Sequence, residues 1–150
     1  MTDPDPEALV REAWAAYARG DLDGLLEHID PELTWTFLDP SQPDPEPATC
    51  HGRDQLRTAL RRQADQDLTA QIEEITAHGN RVLVVLHSPG LDRFRAWAAD
   101  DRNYLVATVS GDRVTALRAC RGRAEARAAA GLTSAGSGRT GADTAQPGSG

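Results

Sequence analysis

Tyr17, Asp39 and His51 are side chains of types that hold or move protons. Asp39 follows Trp35 and Phe37 at strand spacing, so alternation puts all three on one face. A carboxylate beside aromatic rings is desolvated, which raises its pKa and suits it to act as a general base. The bland alternative is an aspartate that caps the turn at Pro40. Tyr17 offers a hydroxyl to a ligand oxygen, or else sits in the core with its hydroxyl at the rim. His51 stands just before a helix that starts near Arg53, placed as an acid–base partner or as a solvated loop histidine. Arg121 shares parity with Leu117 and Ala119, and can receive an anionic group or pair with a surface acid. His87 alternates with Leu86 and Ser88, so it takes the opposite face from theirs.

Other chemistries are disfavoured by composition. Cys50 and Cys120 are the only cysteines, far apart and without CxxC or Cys/His spacing, so a structural zinc site is not expected. The reading is two reduced thiols, no metal and no cofactor. The formal charge is -7 and all 16 basic residues are arginine, with no basic cluster to meet a phosphate backbone. Nucleic acid is therefore not an expected partner. No apolar run approaches the roughly 20 residues that cross a bilayer, and the start lacks a secretory pattern. Neither a membrane partner nor export is expected, and the location reads as cytoplasmic.

The elements that must position these side chains can be read in order. Asp5-Pro6-Glu7 has the form of an N-cap, a first-turn proline and a first-turn acid. The helix they start runs to about Arg19, with Leu9, Ala13 and Tyr17 on one face and Val10 and Trp14 beside them. Gly20 stops it and Asp21 caps a second helix, whose apolar face is Leu22, Leu25, Leu26 and Ile29. Asp30-Pro31 ends that helix. Leu33 to Asp39 alternates as a strand, and residues 40–47, with four prolines, form a surface loop. A third helix runs from about Arg53 to Ala64 with Leu56, Ala59 and Leu60 buried. Strands follow at 68–77, 81–88, 104–109 and 114–121, joined by turns at Gly79-Asn80 and Gly111-Asp112. Periodicity does not decide between helix and strand for 91–102. An Ala-rich helical turn at 124–130 ends the folded part. One domain over 1–132 is expected, followed by a tail at 133–150, rich in Gly, Ser and Ala, with almost nothing to bury.

Helices around a first strand, then a meander of long strands, make an α+β layout. Gly20-Asp21-Leu22-Asp23 with Leu25-Leu26, Asp30-Pro31-Glu32, Trp35, His51-Gly52-Arg53-Asp54 and Ser110-Gly111-Asp112-Arg113-Val114 give the chain a specific likeness. It resembles the SnoaL-like members of the nuclear transport factor 2 (NTF2-like) superfamily over about residues 7–132. The resemblance implies a strongly curved, mostly antiparallel sheet wrapped into a cone, with about three helices from the N-terminal half closing one side. It also implies an apolar pocket walled by Trp14, Trp35, Phe37, Leu56, Leu60, Leu86, Leu105 and Leu117, with Arg121 near its open end. A homodimer through the outer sheet face is implied too.

In the ketosteroid isomerases of this superfamily the catalytic positions fall on Ala13, Phe37 and near Leu105, all apolar here, so enolisation of a ketosteroid is not expected. The acid of the SnoaL-type cyclases has no clear counterpart either. A limonene-type epoxide hydrolase needs two carboxylates around one water. Asp39 with Asp65 or Asp67 could be offered, but Asp65-Gln66-Asp67 reads as solvent-facing. The expected function is a cofactor-independent enzyme that cyclises or isomerises a bulky, hydrophobic, polyketide-like metabolite in natural-product biosynthesis. Positioning would carry the catalysis, helped by Asp39, Tyr17 or His51. The alternative is a non-catalytic small-molecule carrier or dimerisation module on the same scaffold.

Overall fold

The computed structural model describes residues 5–66, 69–98 and 100–132, with Gln63 described by its backbone alone. Helix α1 spans Pro6–Ala18, and Asp5 holds the N-cap position with extended backbone but without a side-chain cap bond. Gly20 adopts φ 84°, a left-handed conformation that glycine takes without strain, and so turns the chain. Asp21 then caps α2, Leu22–Leu26, by accepting the Gly24 N–H at 3.0 Å.

Strand β1 spans Ile29–Phe37, starting earlier than alternation predicts. Ile29 belongs to this strand and not to the helical face, because it pairs in parallel with Val114 and is fully buried. Asp30-Pro31 falls inside the strand, where the register against the neighbouring strand shifts between Ile29 and Thr34. A proline cannot donate to a ladder, and an irregular stretch is where a strand tolerates one.

The proline-rich connection leads to a short strand that the sequence does not advertise, β2 at Ala48–His51. It pairs antiparallel with β1 as the sheet edge. Helix α3 spans Arg53–Asp65, followed by β3 at Gln71–His78 and β4 at Arg81–His87. The ambiguous segment is neither a regular α-helix nor a strand. A 3-10 turn at Leu91–Phe94 leads into irregular chain. Strands β5, Arg102–Ser110, and β6, Arg113–Cys120, and helix α4, Arg123–Ala129, complete the order. Leu68, Asp67 and the expected tail at 133–150 lie outside the described residues.

The six strands form one sheet in the order β2-β1-β6-β5-β4-β3. The β1–β6 pair is parallel and the others are antiparallel. On the inner face Val82, Val84, Leu86, Leu105, Ala107 and Leu117 pack with Val10, Ala13 and Trp14 of α1 and Leu25 and Leu26 of α2. The outer face has its own cluster, in which Leu83, Val85, Tyr104, Val106 and Cys120 meet Ala126 and Ala130. Thus α4 covers part of the face opposite the other helices. That explains why β4 reads as an unbroken apolar run: both its faces are buried. Beside α4 the outer face carries a shallow depression around Thr34, Thr36, Thr108 and Arg118.

Candidate active site

Between the helices and the inner face of the sheet lies a cavity of about 350 Å³. Its walls come from every layer. Trp14 and Tyr17 enter from α1, Trp35 and Phe37 from β1, Leu56 and Leu60 from α3, and Leu86, Leu105 and Leu117 from the central strands. The Trp35 and Phe37 rings lie side by side, with centroids 5.0 Å apart. Helical spacing in α1 and strand alternation in β1 are what aim these residues at one point. The segment after β4 supplies the remaining wall through Leu91, Phe94, Arg95 and Trp97. It is tied across the mouth by the Ala96 N–H, which donates to the Pro40 carbonyl at 2.8 Å.

Of the three residues expected to move protons, only Tyr17 lines this cavity. Its phenol pKa is raised by burial, an effect that Arg95 opposes, so it stays a donor through the neutral range. Asp39 does not line the cavity, because β1 ends at Phe37 and alternation no longer governs it. Its carboxylate turns back to accept the Ser41 N–H at 2.9 Å and the Ser41 hydroxyl at 2.8 Å. Those two bonds hold its pKa below the ordinary value, the opposite of what a desolvated base requires. It is the turn cap.

His51 pairs with Thr34 on the other side of the pleat from Trp35, with Nδ1 3.4 Å from Thr34 Oγ1. Its neighbour Cys50, opposite Trp35, takes the inward place, and burial raises its thiol pKa. Arg121 lies just past the end of β6 and is held by Asp44 at 2.6 Å and by the Pro45 carbonyl, outside the cavity lining. His87 is engaged with Asp101 at 3.1 Å and is likewise outside it. Asp65 is exposed and not part of the cavity lining, and Asp67 lies outside the described residues. Among the described residues no cluster of His, Cys, Asp or Glu has metal-holding geometry.

Several polar residues that sequence reasoning did not single out are in the cavity wall: Gln55, Thr58 and Arg62 on α3, Gln66 just after it, and Arg95 and Asn103. The Arg95 guanidinium donates to Asn103 Oδ1 at 3.0 Å and lies 5.2 Å from the centre of the Trp97 ring. Burial lowers its pKa to about 10, with Tyr17 and Asp100 acting in the opposite direction, so it is charged at neutral pH. Trp97 Nε1 is buried without a hydrogen-bond partner among the described residues. Asn103 could have been found by its parity with Leu105. Arg95 had only one signal, an arginine set between Phe94 and Trp97 in a segment without a readable period.

A curved sheet closed by helices over a largely apolar cavity defines an α+β cone. A family model described as a SnoaL-like domain matches residues 10–115, and the chain belongs to that family. Solved structures of NTF2-like proteins share the fold. An NTF2-like protein of unknown function from Burkholderia pseudomallei is 22% identical, with TM-score 0.57 over 85% of this chain and 98% of that one. IdmH from Streptomyces antibioticus, a proposed polyketide cyclase, is 18% identical, with TM-score 0.57 over 78% and 91%. A proposed polyketide cyclase from Sinorhizobium meliloti is 18% identical, with TM-score 0.55 over 75% and 94%. No curated protein matches the chain in sequence. Among the described residues no helix is long and apolar enough to cross a membrane.

Proposed function

We propose that this chain is a cytoplasmic, cofactor-independent SnoaL-like enzyme that cyclises or isomerises a bulky apolar metabolite of the polyketide type. The observation that carries the reading is a cavity of about 350 Å³, aromatic on several sides, with the Tyr17 hydroxyl-bearing ring in its wall. A flexible poly-carbonyl chain loses most of its reactivity to disorder. Walls that hold it folded, with its ends in contact, remove an entropic barrier worth about 7–11 kcal/mol at best. In the enol form that a 1,3-dicarbonyl populates by itself, the C=C π pair forms the new carbon–carbon bond as the attacked C=O π bond breaks. Charge collects on the attacked oxygen, and the enol O–H proton ends on that oxygen, giving a ring-closed isomer. A fixed donor in a dry site stabilises that charge. Tyr17 is the donor we assign. The similarity to two proposed polyketide cyclases supports the choice of substrate class.

A second reading, a carrier without chemistry, is favoured by one feature. Among the described residues the cavity lining contains no Asp, Glu or His, so no group described there has an ordinary pKa suited to proton abstraction at neutral pH. The two readings part on a single experiment with a synthetic aryl-terminated triketide, followed by absorbance and mass. The enzyme reading expects a ring-closed isomer to form faster than in buffer. Tyr17→Phe should slow it about tenfold or more, and Asp39→Asn should leave it unchanged. Saturable binding with no rate change would leave the carrier reading standing. A rate lost in Asp39→Asn but kept in Tyr17→Phe would return the chemistry to the turn after β1.

A further inference from the structure

A cavity meant only for hydrocarbon has no use for a guanidinium drawn partly out of water into its wall. Placing a cation in an apolar wall carries a desolvation cost that a neutral side chain would avoid. Arg95 nevertheless lines this cavity, between aromatic neighbours on the segment that closes its mouth. The Tyr17 phenol lies within its field, and its partners include an amide oxygen, Asn103 Oδ1 at 3.0 Å, and the face of Trp97. Both orient the guanidinium, and neither neutralises it. Among the described residues no carboxylate forms an ion pair with it. Asp100, whose field reaches it, is occupied by the Tyr104 hydroxyl at 2.8 Å and the Arg102 N–H at 2.9 Å.

The other polar residues around the cavity do not supply a counter-charge. Tyr17 remains a neutral phenol, Cys50 a neutral thiol, and Gln55, Thr58 and Gln66 are uncharged. Arg62 adds a second positive charge from α3. Among the described residues the lining is therefore rich in donors, positive in charge and without carboxylates, with an aromatic body. On the proposed metabolite-binding role of this cavity, we infer that its ligand is an acid: a ring-bearing or long apolar molecule whose carboxylate seats on Arg95 at the mouth. The apolar part then lies against Trp35 and Phe37. A planar guanidinium already held by Asn103 and stacked on Trp97 keeps a donor pair for a carboxylate, the geometry that arginine favours.

Naphthoate and naphthamide test this directly, because they share size and ring and differ in charge. Calorimetric titration of the full chain should show naphthoate binding roughly tenfold or more tightly. Arg95→Met should erase that preference while naphthamide still binds as before. Arg95→Lys, which keeps the charge but not the planar fork, should restore part of it. Equal affinity of the two probes for the unaltered chain would overturn the inference and leave the apolar cavity as a binding site. A preference that survives Arg95→Met and disappears in Arg62→Gln would overturn it by moving the anion to α3. If neither probe binds, the metabolite-binding reading itself fails, and the inference falls with it.

Discussion

Ala119→Phe is expected to cost this protein most of its ligand affinity, on the order of a hundredfold, while leaving the fold intact. Ala119 sits on the inner face of β6, opposite Leu105 in the register, and its side chain is part of the cavity wall. A benzyl group built there has nowhere to go except into a hollow of about 350 Å³. The hollow is empty space rather than packed core, so the added ring need not displace neighbours as overpacking does. A fluorescence titration with anilinonaphthalene sulfonate reads the loss, and an unchanged urea midpoint shows that the chain still folds. Undiminished affinity in this variant would mean that the dye, and any natural guest, binds elsewhere.

Trp14→Ala is expected to have the largest effect on stability, about 3–5 kcal/mol. Trp14 is 2% exposed, in contact with the inner core as well as the cavity. Removing its indole enlarges the cavity toward the packing between α1 and the sheet. Total stabilities of about 5–15 kcal/mol leave little margin after such a loss. Urea unfolding followed by circular dichroism measures it. A loss below about 1 kcal/mol would show that the indole lies on a surface that tolerates its absence, against the burial described above.

Much of the cavity wall could be read in advance where a period existed. Trp35 and Phe37 alternate within β1, Leu56 and Leu60 recur along α3, and Leu86, Leu105 and Leu117 occupy inner positions of long strands. Periodicity failed at the edges of elements, and for physical reasons. Asp39 kept the parity of Phe37 on paper, but a strand's alternation ends where its hydrogen bonds end, and Ser41 then offers two donors to the carboxylate. Ile29 fitted a helical stripe, yet parallel pairing with Val114 buries it more completely than one more helical turn could. Ala48–His51 is too short and too polar to announce itself, and becomes a strand because β1 leaves an edge to pair. Arg95 was missed because it sits in a segment shaped by a 3-10 turn, a tie to Pro40 and stacking on Trp97. None of these leaves a repeat in the sequence. Of the polar groups of the candidate site, Arg95 sits on irregular chain, as functional residues often do, whereas Tyr17 lies on α1 and Asn103 on β5.

All three tryptophans, Trp14, Trp35 and Trp97, stand in the wall of the one cavity, so the protein carries its own reporter of whether that space accepts a guest. The most direct measurement is tryptophan emission during titration with anilinonaphthalene sulfonate. A guest inside the cone must quench that emission in a saturable, one-to-one manner, in step with the rise of dye fluorescence. Tryptophan emission that stays constant while the dye saturates would put the binding site outside the cone and contradict the account.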